Sequence, residues 1–312
     1  MCYDAAMAGV KQQQQHEQWL LELTGLPTAA GQEDRVIEWV RRWIDRRSSL
    51  TMRADAVGNL IIEQSQRNQD STASPVFITA HLDHPAFVVR DVHDDRHVEC
   101  EFRGGVQDAY FDEARVDLFD GSDDVHTGRI TSFNGQTKPF KRMEIALSRK
   151  TDALQPGDVG RWAFRGRGAE PEIHERRLHA PACDDLAGVA AALSALDVLR
   201  RRKNMQHVGV VLTRAEEVGF LGAIAACRHE SLPREARLIC LENSRSFAES
   251  PIGGGPIVRV GDKMSVFDPR LTNRVTQLLE KHTKRNSEYK WQRKLMPGGT
   301  CEATVFSTFG YE

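Results

Sequence analysis

The segment "LTRAEEVGFLGA", residues 212–223, sets two adjacent carboxylates, Glu216 and Glu217, just after an apolar run. Two like charges buried side by side repel, and one is driven to keep its proton. A metal ion removes the conflict, because one carboxylate then binds the cation while the other handles protons. Comparable groups stand at the ends of other apolar runs. "VFITA" runs into His81 and Asp83, "RLICL" runs into Glu242, and Asp184 and Asp185 immediately precede a long Ala-rich segment. One imidazole and several carboxylates suit a divalent cation such as zinc, whose catalytic sites keep one position open for water or substrate. A carboxylate bridging two metals is the arrangement that activates a hydrolytic water, and Asp184 suits that bridge. Asp83, two residues from His81 on an extended segment, suits an acceptor that orients the imidazole.

Each residue also has a simpler reading. Asp184 or Asp185 would cap the following helix. Glu216 and Glu217 would be favourable charges at a helix N-terminus. His81 would be a hydrogen-bonded core histidine and Glu242 a strand-end charge. The metal reading rests on four segments repeating one design, an apolar element that meets an acid or His.

Those residues must be positioned by the elements around them. The spacing of Val36, Trp39, Val40 and Trp43 predicts an amphipathic helix, preceded by a second over "EQWLLELTGLP"; residues 1–10 and the Gln12–Gln15 run read as a frayed leader. "ADAVGNLIIEQ" reads as a turn entering a short strand, "QSQRNQDSTAS" as a polar loop, and "PVFITAHLDH" as a strand. Between residues 86 and 178 the texture changes to short apolar runs ("AFVVRDV", "HVECEF", "ARVDLF", "GRITSF", "MEIALS", "VGRWAF") broken by turn residues. That pattern suggests a small β-barrel or sandwich. From residue 179 helices ("LAGVAAALSALDVLRRRK", "EVGFLGAIAACRHE", "DPRLTNRVTQLLEKHTK") alternate with strands ("HVGVVLTR", "ARLICLEN"). The expectation is an α/β domain made of residues 1–85 and 179–312, with a β domain inserted at 86–178. In such a sheet the carboxyl ends of the strands line the ligand crevice, where distant residues converge.

The bulk numbers exclude several classes. A net charge of −2 over 312 residues gives no excess that points to nucleic acid or an anionic membrane. No apolar stretch approaches the roughly 20 residues of a membrane helix, and the start lacks the basic and apolar regions of a signal peptide. Six scattered cysteines without a CxxC suit a reducing cytoplasm and argue against a thiolate zinc site. HExxH, GxSxG, Walker and GxGxxG motifs are all absent.

The chemistry-bearing segments, in this order, resemble the co-catalytic zinc exopeptidases, closest to the deblocking or glutamyl aminopeptidases that form tetrahedral assemblies. "DAVGNLII" resembles that family's turn, "TAHLDHPAFVV" its metal-binding strand end, "CDDLAGVAAAL" its helix start, and "RAEEVGFLGA" its most specific motif; "GGGPIVRVGD" and "PGGTCEATVF" resemble later active-site loops. The resemblance implies a mixed-sheet α/β metallopeptidase domain with an inserted small β-barrel domain. It further implies two divalent metal ions, zinc with cobalt or manganese as alternatives, and a homo-oligomer acting on short peptides. His81 and Glu242 would bind one ion and Glu217 the other, with Asp184 bridging. Glu216 would be the general base, and Asp83 would orient His81. Three departures stand out. His84 replaces a usual Glu. Glu242 replaces a common Asp, which keeps a carboxypeptidase or N-acyl amino-acid deacylase of the same clan as the alternative. The family's last His ligand has no counterpart, His174, His179 and His282 being out of place. That carries a further expectation, either of a truncated chain or of an incomplete second site in a catalytically impaired homologue.

Overall fold

The computed structural model describes residues 2–65 and 73–312. Helices α1 (Cys2–Gly25) and α2 (Asp34–Asp45) lead into the antiparallel strands β1 (Leu50–Ala54) and β2 (Leu60–Gln64), then β3 (Val76–His81). Six strands follow: β4 (Ala86–Val92), β5 (His97–Arg103), β6 (Arg115–Phe119), β7 (Val125–Asn134), β8 (Lys141–Leu147) and β9 (Val159–Trp162). A small hairpin, β10 (Glu172–His174) and β11 (Arg177–His179), precedes α3 (Leu186–Leu199). The chain continues through β12 (Val208–Thr213), α4 (Leu221–Arg228), β13 (Arg237–Cys240), β14 (Ile257–Gly261), α5 (Pro269–Arg285), β15 (Gln292–Leu295) and α6 (Glu302–Thr308).

The central sheet has the order β1-β2-β12-β3-β13. β12 and β13 run parallel to β3, while β2 is antiparallel to β12, so the sheet is mixed. Its inner strands are covered on both faces, and the alternation of side chains divides them between two cores. Ile78, Ala80, Val210 and Leu212 join Trp19, Val36, Val40 and the α3 residues Leu193 and Leu196. Phe77, Val211 and Leu238 join Ala223 and Cys227 of α4 and Val305 and Phe306 of α6. β12 is buried at every position, which explains why its sequence is an unbroken apolar run rather than an alternating one.

The six strands between Ala86 and Trp162 close into a barrel of order β4-β5-β8-β7-β6-β9. Each corresponds to one of the six apolar runs read in the sequence, and the choice between barrel and sandwich resolves to the barrel. Phe87, Phe102 and Phe111 fill it, packed edge-on with centroids 5.0–6.0 Å apart. That is the geometry the aromatic quadrupole favours.

Four local expectations need correction or extension. The described part of the stretch expected as a frayed leader, from Cys2 on, belongs to one continuous helix, α1. Its Gln, Ala and Lys residues are good helix formers, and Trp19 and Leu23 anchor it to the core. β1 was not anticipated; it is exposed at most positions and so has no clear apolar alternation. α3 ends at Leu199, before the arginine run. Most consequentially, α4 begins at Leu221 rather than at Glu217. The positive φ of Ala215 (53°), Gly219 (112°) and Phe220 (59°) keeps residues 215–220 out of a right-handed helix. The polar loop expected near residue 70 falls largely outside the described residues, and among those described no helix is long and apolar enough to cross a membrane.

Candidate active site

Strand register explains why residues far apart in sequence meet. In the parallel pairing His81 lies opposite Thr213. Asp83 and the Glu216–Glu217 pair therefore leave the sheet at the same edge. Cys240 lies opposite Thr79, which brings Glu242, two residues on, level with His81. Asp184 and Asp185 enter from the N-terminal side of α3. The structure thus brings together all six residues singled out in the sequence: His81, Asp83, Asp184, Glu216, Glu217 and Glu242.

His81 is the centre of the cluster. Its Nδ1 lies 3.1 Å from the Asp83 carbonyl oxygen and 3.5 Å from Asp83 Oδ1. With Nδ1–H donating there, Nε2 is left with its lone pair free for a cation. Nε2 faces Asp184 Oδ1 at 3.3 Å and Glu216 Oε2 and Glu242 Oε2 at 4.0 Å each. Both Nε2 of His81 and Oδ1 of Asp184 are buried without a hydrogen-bond partner. Two sets of donor atoms lie within 4.8 Å of one another, His81 with Glu216 and Glu217, and His81 with Asp184 and Glu242. Asp184 is suited to face two ways, since Oδ1 is buried while its side chain as a whole is 41 % exposed.

The electrostatics agree with this donor set. Burial pushes Glu216 up to about 8, Glu217 to about 9 and Glu242 to about 10, against the pull of the His81 imidazole. Burial alone would lower His81, but Asp184 and Asp83 outweigh it and raise the imidazole well above its ordinary value. A divalent cation would take these groups in their deprotonated forms, so its binding would release the protons that burial favours. Several buried carboxylates around one imidazole, with orphaned atoms converging between them, fit a metal ion.

The supports are as specific as the donors. Burial would raise Asp83, but His81 and the backbone N–H groups of Glu216 and Glu217 hold it below the usual carboxylate range. Those N–H groups donate to Asp83 Oδ1 and Oδ2, both at 3.0 Å. Glu33, fully buried ahead of α2, accepts from Ala215 N at 3.1 Å and from the Arg214 guanidinium at 2.6 and 2.9 Å. Asn59, from the "DAVGNL" turn, accepts from Arg214 N and donates to the Gly222 carbonyl. The loop carrying Glu216 and Glu217 is therefore held by three buried side chains, not by a helix.

Asp185 occupies the N-cap position of α3 but makes no capping hydrogen bond. Its carboxylate instead accepts from His81 N and Asn243 Nδ2, and burial raises it to about 7. The capping reading of this residue gives way to a role in locking three segments together. His84 bonds through Nδ1 to the Asp184 carbonyl. Glu302, at the start of α6, is buried and accepts from Thr213 Oγ1 at 2.8 Å. Sequence reasoning assigned no role to Glu33, Asn59, Asn243 or Glu302, and to Asp185 only a cap. Of these, Asn59, Asp185 and Glu302 lay within the segments that carried the resemblance, and this was the available signal.

An α/β sheet whose strand ends gather one imidazole and a ring of carboxylates defines a hydrolytic metalloenzyme. The family model of the M42 glutamyl aminopeptidases matches residues 58–312, and the chain belongs to that family. It is a metal-dependent aminopeptidase. Among solved structures, an aminopeptidase from the archaeon Desulfurococcus kamchatkensis superposes with a TM-score of 0.72 at 21 % identity, covering 94 % of this chain and 83 % of that one. The TET1 peptidase of Pyrococcus horikoshii, described as assembling into a tetrahedron or a large octahedral shell, gives 0.70 at 19 % identity over 94 % and 88 %. A TET aminopeptidase from a marine sediment thaumarchaeote gives 0.70 at 16 % over 93 % and 84 %. At these identities the likeness is one of fold.

Proposed function

We propose that the chain removes N-terminal residues from short peptides with two divalent ions, zinc foremost, held at the strand ends. His81, Asp184 and Glu242 hold the first ion, and Asp184 and Glu217 hold the second. When bound, the ions polarise the scissile carbonyl and acidify the attacking water. Glu216 takes the proton of that water and passes it to the leaving amine. Its loop is fixed before substrate arrives, so it acts by proximity to a water that the ions would already have acidified. Asp83 holds the His81 tautomer and the Glu216–Glu217 backbone in one unit. The observation that carries this reading is the convergence of His81 Nε2 and Asp184 Oδ1, both buried and unpartnered, beside Glu216 and Glu242.

The first ion has three protein ligands in this assignment and the second two. Catalytic zinc sites usually take three, so the first is the tighter site, and turnover depends on filling the weaker one. We further propose that 86–178 forms a domain inserted between residues 1–85 and 179–312, since β3 precedes the barrel and β12 and β13 follow it. The self-assembly described for the Pyrococcus relative supports a homo-oligomer here as well, and the scattered cysteines suit the cytoplasm.

The test is metal analysis paired with hydrolysis. Protein titrated with zinc, cobalt or manganese should show a tight and a weak class of site, with activity following the weak class. Peptides with a free amine should be cleaved and N-blocked ones spared. Cleavage of N-blocked substrates alone would shift the assignment to a deacylase, and activity in metal-free protein would remove it.

A further inference from the structure

We propose a second binding site, for a small multivalent anion, in the cavity of about 900 Å³ lined by α1, α2 and the C-terminal end of α3. The catalytic carboxylates stand at the opposite end of α3. Twelve residues of helix separate Asp185 from Asp197, about 18 Å at 1.5 Å per residue. The two sites share no lining residue.

The cavity's charge does not balance. Six of its lining residues are Lys or Arg, and only two, Glu22 and Asp197, are acidic, in a chain whose net charge is −2. Asp197 is already saturated. Its two oxygens accept from Arg47 at 3.2 Å, from Arg200 at 2.9 and 3.0 Å and from Arg201 at 2.8 Å. One buried carboxylate thus faces three guanidinium groups. Glu22 is engaged with the Trp39 indole N–H at 2.9 Å. No hydrogen bond or ion pair to the side chains of Lys11, Arg42 or Arg46 is found among the described residues.

Arg42, in the last turn of α2, and Arg46, its C-cap residue, stand four apart, a spacing at which like charges meet and repel. The C-terminus of α3 accounts for a preference for Arg200 and Arg201. The C-terminus of α2 likewise favours Arg42 and Arg46, but neither terminus accounts for Lys11 of α1 or for three cations left unpaired beside one cavity.

Its floor is aromatic. Trp19 and Trp43 are buried beneath it, and the Arg47 guanidinium lies 3.7 Å from the Trp43 ring centroid and 4.7 Å from that of Trp19. The stacking fixes Arg47 and covers the rings, so flat aromatic ligands gain little. What remains on offer is a cluster of forked donors, which match phosphoryl and carboxylate oxygens. The shared chemistry is a compact anion with two or more negative charges, and the two sources are phosphoryl compounds and polycarboxylates.

Calorimetric titration of the full chain with pyrophosphate and, separately, with citrate tests the site at fixed ionic strength. Fluorescence is followed in parallel, because Trp19 and Trp43 lie under the cavity. The site predicts saturable binding of at least one of the two near one per chain. The preferred anion tells phosphoryl from carboxylate recognition. In the Arg42→Ala/Arg46→Ala variant, whose changes are exposed, affinity should fall at least about tenfold, since bonds to charged groups are the strong ones. Peptide hydrolysis by that variant should stay at the wild-type rate, which shows that it folds. No saturable binding of either anion, or equal affinity in the variant, would overturn the proposal.

Discussion

Asp83 and Glu217 are joined through the backbone. The Glu217 N–H donates to Asp83 Oδ2 at 3.0 Å while the neighbouring Glu216 N–H donates to Oδ1, and the Asp83 carbonyl faces His81 Nδ1. One residue therefore sets both the imidazole and the two glutamates. Replacing Asp83 by Ala removes both acceptors of the Glu216 and Glu217 N–H groups and the carboxylate 3.5 Å from His81 Nδ1, while the backbone carbonyl that faces Nδ1 stays. Outer partners of metal ligands typically contribute about 10–100-fold in affinity or activity. Metal affinity of Asp83→Ala, measured by competition with a chelator, should fall by that order. An unchanged affinity would mean that Glu33 and Asn59 hold the loop without it.

Glu216 and Glu217 are adjacent but are assigned different tasks, and matched substitutions separate them. Glu216→Gln should keep its metal and lose roughly 10²–10⁴ in kcat, the range for a group acting on a proton in the transition state. Glu217→Gln should lose the weaker metal first. Equal metal loss in both variants would reverse or remove the assignment.

How much of this was legible in the sequence depended on whether a residue's signal was local. The six barrel strands and the parallel strand ends were readable, because apolar runs and turn residues declare themselves within a few positions. His81, Glu216 and Glu242 were readable for the same reason, each ending such a run. Asp185 was not, because an acid before a helix has the same local signature whether it caps the helix or reaches across to His81 N and Asn243. Glu33 and Glu302 were equally silent, since their partners, Arg214 and Thr213, lie far away in the chain. The start of α4 was misplaced because backbone handedness at Ala215 and Phe220 is imposed by the surrounding clamps. It overrides local helix propensity.

Gly188 carries a prediction whose sign runs against expectation. In an ordinary helix interior Gly→Ala stabilises by about 1 kcal/mol. Here a Cβ on Gly188 would overlap both carboxylate oxygens of Asp185, which hold His81 N and Asn243. Gly188→Ala should therefore lower the melting temperature and weaken metal binding, while Ser194→Ala, on the same helix and away from that contact, should do neither. A stabilised Gly188→Ala protein with full metal affinity would show that Asp185 moves aside at no cost.

Glu302 makes stability depend on pH in a definite direction. Its carboxyl is buried, with Oε2 accepting from Thr213 Oγ1 and Oε1 unpartnered. Burial raises it from 4.5 to about 7. The folded protein thus binds this proton more tightly than the unfolded chain does. The group's favourable contribution is complete below pH 4.5 and is lost as pH rises towards about 7, at about 1.4 kcal/mol per pH unit while the folded side chain stays protonated and the unfolded one does not. Above that range its contribution is flat. Glu302→Gln removes the titration while keeping the shape. In chelator-treated protein, the difference in unfolding free energy between variant and wild type should move in the variant's favour between pH 5 and pH 8. The difference itself is the readout, because the other titrating groups are common to both proteins. A difference independent of pH would mean that Glu302 ionises in the folded protein as easily as in water, and that the charge beneath Thr213 is compensated by another group.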